Sequence, residues 1–130
     1  MKSRDTLLRL KRFQVDERRR RVAQIEMMIA EFERMAADLS REIAAEEQKA
    51  GISDPSHFAY PTYARAASQR RDNLRDSAQN LHRQLDDAKA ELGEAFEELK
   101  KAESLEDRER GAERMVEARE HAAGLQRAIR

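Results

Sequence analysis

The chain of 130 residues is 40% charged and 39% hydrophobic, with four glycines, two prolines and no cysteine. It is long enough for one domain but too polar for a thick core. The absence of cysteine excludes disulfides, thiolate metal sites and cysteine nucleophiles. Its 26 basic and 26 acidic side chains balance, so no overall field directs it toward nucleic acid or an acidic membrane.

A first long helix is predicted from about residue 5 to residue 50. Apolar residues recur there every seven positions, which is the a/d pattern of a left-handed coiled coil. Lys11 and Arg18 interrupt the second row of the pattern, and this start is either frayed or leaves apolar surface for another molecule. The first row is Leu8, Val15, Val22, Ile29, Ala36, Ile43 and Ala50, and the second row is Ile25, Phe32 and Leu39.

Residues 51–61 are predicted to connect this helix to a second one. Gly51 suits the C-cap of the first helix, and Asp54 before Pro55 favours a turn. Pro61 fixes the backbone angle needed at the first turn of the next helix. These residues account for the break in helical structure.

The connector region "DPSHFAYPTY" also holds three of the six aromatic residues of the chain, Phe58, Tyr60 and Tyr63. A simple turn does not need them, and a pair of helices can cover them only in part. Exposed aromatic rings on an ordered loop are typical anchors of protein interfaces. The alternative is an apolar plug that closes the end of the coiled coil, and the two interpretations are compatible.

A second helix is predicted from about residue 62 to residue 110, followed by a loosely held helical tail over residues 111–130. The tail has a weaker apolar stripe and no opposite helix, so it is expected to project. The main seam of the second helix consists of Leu74, Ala78, Leu81, Leu85, Ala88, Leu92, Ala95, Leu99 and Ala102.

Charge predicts how the two helices pair. Folding the chain back near residue 56 places residue i beside residue 112 minus i, which sets the basic segment 1–21 against the acidic segment 91–111. Flanking charges of this kind select orientation and register. A parallel homodimer would instead set the run Arg18–Arg21 beside its own copy. The predicted fold is therefore all-α, a long antiparallel two-helix coiled-coil hairpin formed within one chain, as a monomer.

No catalytic, cofactor or metal site is predicted, so an enzyme is not expected. His57, His82 and His121 lie far apart, and none has the i,i+4 partner that a zinc pair on a helix needs. The four glycines are isolated, so no phosphate-binding loop is present. The run Arg18–Arg21 surrounds a full turn, and pairing across the hairpin is favoured over contact with an acidic protein, nucleic acid or lipid.

The N-terminal residues lack the apolar core of a signal peptide, and no run approaches the about 20 apolar residues that span a membrane. A cytoplasmic protein without direct membrane insertion is expected.

Three segments together resemble FliJ, the soluble component of the bacterial flagellar type III export apparatus. They are "LLRLKRFQVDERRRR", "DPSHFAYPTYARAASQRRDNL" and "LGEAFEELKKAE", and the resemblance covers about residues 5–110. It implies a hairpin similar to the paired terminal helices of the rotary ATPase gamma subunit. Such a hairpin enters the central hole of the flagellar export ATPase ring, promotes ring assembly and does not itself hydrolyse ATP. The implied location is peripheral, at the flagellar base on the inner membrane.

The resemblance also implies a binding face for the cytoplasmic domain of the export gate protein FlhA, at the start of the second helix. The family pattern falls on residues spaced 0, 4, 7 and 11. Arg70 stands where a small residue is expected and Ala67 where Leu is usual, so the contact is expected to shift toward Tyr60 and Arg71. Export chaperones are further implied partners. The predicted face is Tyr60, Tyr63, Ala67, Arg70, Arg71 and Leu74, with Phe58 at the tip.

Two other functions compete with the export-apparatus stalk. A structural or oligomerising coiled coil would pair its seam between chains and would not need the aromatic tip. A nucleic-acid or membrane-surface protein would use the basic N-terminal segment. The aromatic tip and the predicted pairing of basic and acidic segments within one chain favour the export-apparatus stalk. Nucleic acid is not an expected partner.

Overall fold

The structure, a computed structural model, describes residues 3–129, which form two long helices and no strand. Helix α1 spans Ser3–Ala50, helix α2 spans Thr62–Ile129, and residues 51–61 connect them. The helices pack against each other, which confirms the predicted all-α hairpin. The pair divides into two compact units. One comprises residues 19–90, and the other joins residues 3–18 to residues 91–129.

The unit of residues 19–90 has an apolar seam along both helices. Every residue of the first predicted row from Val22 to Ile43 is buried, whereas Ala50 is exposed at the end of α1. Phe32 and Leu39 are half-buried. Because each large aliphatic side chain contributes about 1.5–3 kcal/mol when fully buried, this seam provides most of the pairing energy. Its buried members are Val22, Ile25, Ile29, Ala36 and Ile43 of α1, and Ala64, Ala67, Ala78, Leu81, Leu85 and Ala88 of α2.

The unit of residues 3–18 and 91–129 has a seam in which charge replaces part of the apolar contact. Leu8 and Val15 are buried, as are Ala95 and Ala102 on α2. Lys11 and Arg18, which interrupt the predicted second row, pair across the helices, and so does Arg4 nearer the start of α1. The pairs are Arg4 with Glu109 at 3.2 Å and Glu113 at 2.9 Å, Lys11 with Glu98 at 2.6 Å, and Arg18 with Glu91 at 3.8 Å.

These ion pairs explain why the apolar repeat is interrupted near the start of α1. The long aliphatic part of Lys or Arg covers the seam while its charged end reaches a carboxylate at the edge. Two hydrogen bonds to Glu113 and one to Glu109 raise the pKa of the Arg4 guanidinium, with bonding to Glu113 the largest cause. The Lys11 ammonium holds the pKa of Glu98 below its usual range through their hydrogen bond.

One ion pair in each unit agrees with the predicted register to within one helical turn, whereas Glu42 contacts Tyr63 although residue 70 was predicted opposite it. In one unit, Lys11 pairs with Glu98, where residue 101 was predicted. In the other, Nε2 of His82 lies 3.4 Å from Glu33, for which residue 79 was predicted. Partner residue numbers fall as those of α1 rise, so the pairing is antiparallel, as predicted from charge.

Helix α2 continues without a break through Gly111 to Ile129. The sequence predicted regular helix to about residue 110 and a loosely held helical tail beyond it. Every residue from 112 to 129 is exposed except Gly124, which is half-buried. Over residues 3–129, neither helix contains the long apolar stretch that a membrane crossing requires.

Candidate partner-binding site

The connector is held by backbone hydrogen bonds at both of its ends. Gly51 adopts a φ of 71° and donates its N–H to the Glu47 carbonyl at 2.9 Å, which is the predicted C-cap of α1. Pro61 lies directly before α2, and its carbonyl accepts the Arg65 N–H at 3.1 Å. Both helix ends are therefore fixed, and the residues between them are held by short-range contacts.

Two successive turns shape the residues between the prolines. The Asp54 carboxylate accepts the backbone N–H of Ser56 at 2.9 Å and its hydroxyl at 2.7 Å, and these bonds lower the pKa of Asp54. The Asp54 carbonyl accepts the His57 N–H at 3.0 Å, and the His57 carbonyl accepts the Tyr60 N–H at 3.1 Å. Tyr60 is buried at the end of the second turn, whereas His57, Phe58 and Ala59 are exposed.

Tyr60 is the apolar plug of the tip. Only 6% of it is exposed, although the sequence predicted partial cover for all three aromatic residues. The Arg65 guanidinium lies 5.4 Å from the ring centroid, within the range of a cation–π contact. The ring belongs to the cluster of buried Ile43, Ala64 and Ala67, flanked by half-buried Leu39 and Ile52. This ring therefore stabilises the tip and is not available as a free anchor.

Phe58 has the opposite environment. The ring is 95% exposed, and it stacks on the exposed imidazole of His57 with centroids 4.7 Å apart and planes at 22°. Nδ1 of His57 accepts the Ala59 N–H at 3.0 Å, which fixes the imidazole beneath the phenyl ring. Stacking on His57 reduces the conformational freedom that the phenyl ring has to lose when a partner covers it.

Tyr63, in the first turn of α2, is half-exposed. Its hydroxyl donates a hydrogen bond to the Glu42 carboxylate at 2.6 Å, and this bond is the main reason that the pKa of Tyr63 is raised. The bond ties the outer end of the ring to α1. The ring face stays accessible at 52% exposure, in a fixed orientation.

The other predicted contact residues separate into inward and outward positions. Ala67 is buried, whereas Arg70 is exposed. Arg71 and Leu74 are half-buried, and Nε of Arg71 lies 3.2 Å from Asp72. The predicted face is therefore not one continuous surface, because Tyr60 and Ala67 belong to the hairpin core.

The accessible surface includes two residues that sequence reasoning did not select. Ala66 is exposed between Tyr63 and Arg70 at helical spacings of three and four, and His57 supports Phe58. Extending the seam of α2 backward from Leu74 in alternating steps of three and four would have placed Ala67 inside and Ala66 outside. The exposed surface of Phe58, Tyr63, Ala66 and Arg70 is called the tip face below.

The tip face presents two aromatic rings and one cation through which a partner could be bound. Over residues 3–129, no group of three or more His, Asp or Glu side chains is placed to hold a metal ion. Comparisons with protein-family models, with curated proteins and with solved structures gave no match to this chain.

Proposed function

We propose that this chain is a soluble stalk and escort component of the bacterial flagellar type III export apparatus, similar to FliJ. In this role the cytoplasmic hairpin enters the ring of the export ATPase and connects it to the cytoplasmic domain of FlhA at the flagellar base. The observation that carries the proposal is the tip face, where Phe58 and Tyr63 stand in solvent on a backbone fixed by hydrogen bonds.

The way the hairpin forms supports this role. Each unit buries its seam between α1 and α2 of the same chain, so pairing does not require a second copy. A hairpin that is complete as a monomer can be inserted into a ring of another protein. Some of the surface charges that flank the seam pair within the hairpin, as Lys11 and Arg18 do.

The tip face supports recognition of the export gate. Aromatic rings and arginine are the residue types that most often dominate binding energy at protein interfaces. Tyr60 anchors the backbone from inside, Tyr63 is oriented by Glu42 and Phe58 stacks on His57, so the two exposed rings are arranged before binding. This arrangement lowers the entropic cost of association.

The experiment is a titration of the full chain with the cytoplasmic domain of FlhA, in parallel for the unaltered protein and single variants. Phe58→Ala and Tyr63→Ala should each weaken binding about thirtyfold, as expected for an interface anchor. The matched control is Phe13→Ala, because Phe13 is also an exposed phenyl ring but lies on the other unit. Arg70→Ala, the third tip-face variant, should also weaken binding. Its matched control is Arg83→Ala, since both arginines are exposed on α2.

Two results would overturn the proposal. One is that the unaltered protein does not bind the FlhA domain, and the other is that the tip variants bind as well as the two controls. Circular dichroism of every variant ensures that a loss of binding is not a loss of helix.

A structural, self-associating coiled coil is the second candidate. It is favoured by Leu7, Leu10 and Phe13, which the structure leaves exposed on α1. Size-exclusion chromatography with light scattering separates the two candidates, because the stalk should have the 15.1 kDa mass of one chain. A larger mass that Phe13→Ala returns to that of one chain supports self-association.

A further inference from the structure

The end of α2 carries an apolar stripe on the side that faces away from α1. Arg4 on α1 contacts Glu109 and Glu113, so these two residues mark the side of α2 that faces α1. Ala118 and Ala122 follow them by nine residues each, which at about 100° per residue is two and a half turns. The two alanines therefore lie on the opposite side of the helix. A longer α1 that packed on the same side of α2 would therefore not cover Ala118 and Ala122.

The stripe has the spacing of a second coiled-coil seam. Its members follow at alternating steps of three and four, the a/d pattern that one helix presents to another. All of them are exposed, with Ile129 at 86%, and they lie within one unit of the structure. The back stripe, as it is called here, consists of Met115, Ala118, Ala122, Leu125 and Ile129.

Charge around the back stripe is sorted by sign. Over residues 112–129, Arg114 and Arg119 lie at its edges, within about 80° of its centre line when residues are placed at 100° intervals. The carboxylates of the same segment lie about 120° or more from that line, and they are Glu113, Glu117 and Glu120. Over residues 112–129 the apolar stripe is therefore bordered by positive charge, and no carboxylate lies at its edges.

We infer that the back stripe is a docking surface for an acidic amphipathic helix of another protein. An apolar row on the partner would pack on Met115, Leu125 and Ile129, while Ala118 and Ala122 let the two backbones approach closely. Carboxylates flanking that row would meet Arg114 and Arg119, the arrangement by which edge charges select a coiled-coil partner. This inference concerns a surface separate from the tip face and does not depend on binding to FlhA.

The same residues disfavour a parallel pair of two copies and an anionic membrane as occupants. In a parallel pair of two copies, Arg114 of one chain would face Arg119 of the other, and like charges there oppose association. An anionic membrane prefers helices whose polar face is basic, whereas the polar face here holds Glu113, Glu117 and Glu120. An acidic helix satisfies both the apolar spacing and the edge charges.

The probes are two synthetic four-heptad peptides with Leu at every a and d position. One has Glu at the e and g positions, and the other has Lys there. Fluorescence anisotropy with the full chain at low salt should show that the Glu peptide binds about tenfold more tightly than the Lys peptide. Arg119→Glu should weaken binding of the Glu peptide and strengthen binding of the Lys peptide, which a merely structural role of Arg119 would not produce.

A matched pair of variants locates the surface. Leu125 and Val116 are both 52% exposed on the same tail, but Val116 lies on the side that faces α1. Leu125→Ser should abolish peptide binding, and Val116→Ser should leave it unchanged. Equal binding of the two peptides, or equal effects of the two variants, would overturn the inference.

The competing occupants are tested with the same proteins. A dimer in light scattering that is lost in Leu125→Ser would identify a second copy as the occupant and overturn the inference. Co-sedimentation with phosphatidylglycerol vesicles that depends on Leu125, without preference for the Glu peptide, would overturn it in favour of a membrane surface. Circular dichroism of Leu125→Ser should match that of Val116→Ser, which excludes loss of helix as the cause.

Discussion

Replacing Tyr60 by alanine should destabilise the hairpin far more than replacing Phe58, although the two aromatic residues are close neighbours in the same connector. Burial of an aromatic side chain removes about 150–250 Å² from water, and large aromatic-to-alanine changes in cores cost about 3–5 kcal/mol. Tyr60 is 6% exposed among Ile43, Ala64 and Ala67. Because the site lies at the end of a thin core that can partly collapse, we expect a loss near 3 kcal/mol.

The assay is urea unfolding followed by far-ultraviolet circular dichroism for Tyr60→Ala, Tyr60→Phe and Phe58→Ala. Phe58 is 95% exposed, so its removal should change the free energy of unfolding by less than about 0.5 kcal/mol. Tyr60→Phe keeps the ring and should lose less than about 1 kcal/mol. If Tyr60→Ala and Phe58→Ala have equal effects, the assignment of Tyr60 as the plug of the tip is wrong.

Three further predictions test the helix cap, the charged seam and the bond that orients Tyr63. Gly51→Ala should cost about 1–2 kcal/mol in urea unfolding, because Gly51 has a φ of 71°; an unchanged midpoint would contradict the left-handed cap. Lys11→Glu should lower the unfolding midpoint, and adding Glu98→Lys should restore it at low salt more than at high salt; additive effects in the double variant would refute the pair. The raised pKa of Tyr63 means that its bond to Glu42 contributes stability below the ordinary tyrosine pKa of 10.0, and that this contribution is lost as pH rises through the higher folded-state value. Phenolate absorbance in a Tyr60→Phe background should therefore titrate later than in free tyrosine, and Glu42→Gln should shift it back; no shift on that substitution would exclude Glu42 as the cause.

The hairpin could be predicted from the sequence because two independent patterns describe the same pairing. Heptad spacing identifies which side of each helix is buried, as the buried row from Val22 to Ile43 shows. The opposite charges of the two ends fix the direction and approximate register. The charge pattern predicted pairing of Arg18 across the hairpin, whereas periodicity treats a charged residue such as Lys11 or Arg18 at a core position only as an interruption of the seam.

The candidate site was predicted less completely than the fold. Helical spacing predicts which side chains face the partner helix, but it does not apply to the connector, which is not helical. Ala67 could have been placed in the core by extending the α2 seam backward from Leu74, since both lie in continuous helix. Tyr60 also lies four residues before buried Ala64, but it precedes Pro61 and the helix, so helical spacing has no physical meaning there.

What turns Tyr60 inward is the backbone turn in which its N–H meets the His57 carbonyl, and that turn depends in part on the Asp54 contacts before it. The same turn leaves Phe58 outside, stacked on His57. Burial of one ring therefore fixes the exposure of the other, because both residues belong to a single hydrogen-bonded segment. In this chain the buried ring of Tyr60 stabilises the tip, and the exposed ring of Phe58 is available to a partner. Replacing Tyr60 should therefore lower the free energy of unfolding, whereas replacing Phe58 should weaken partner binding.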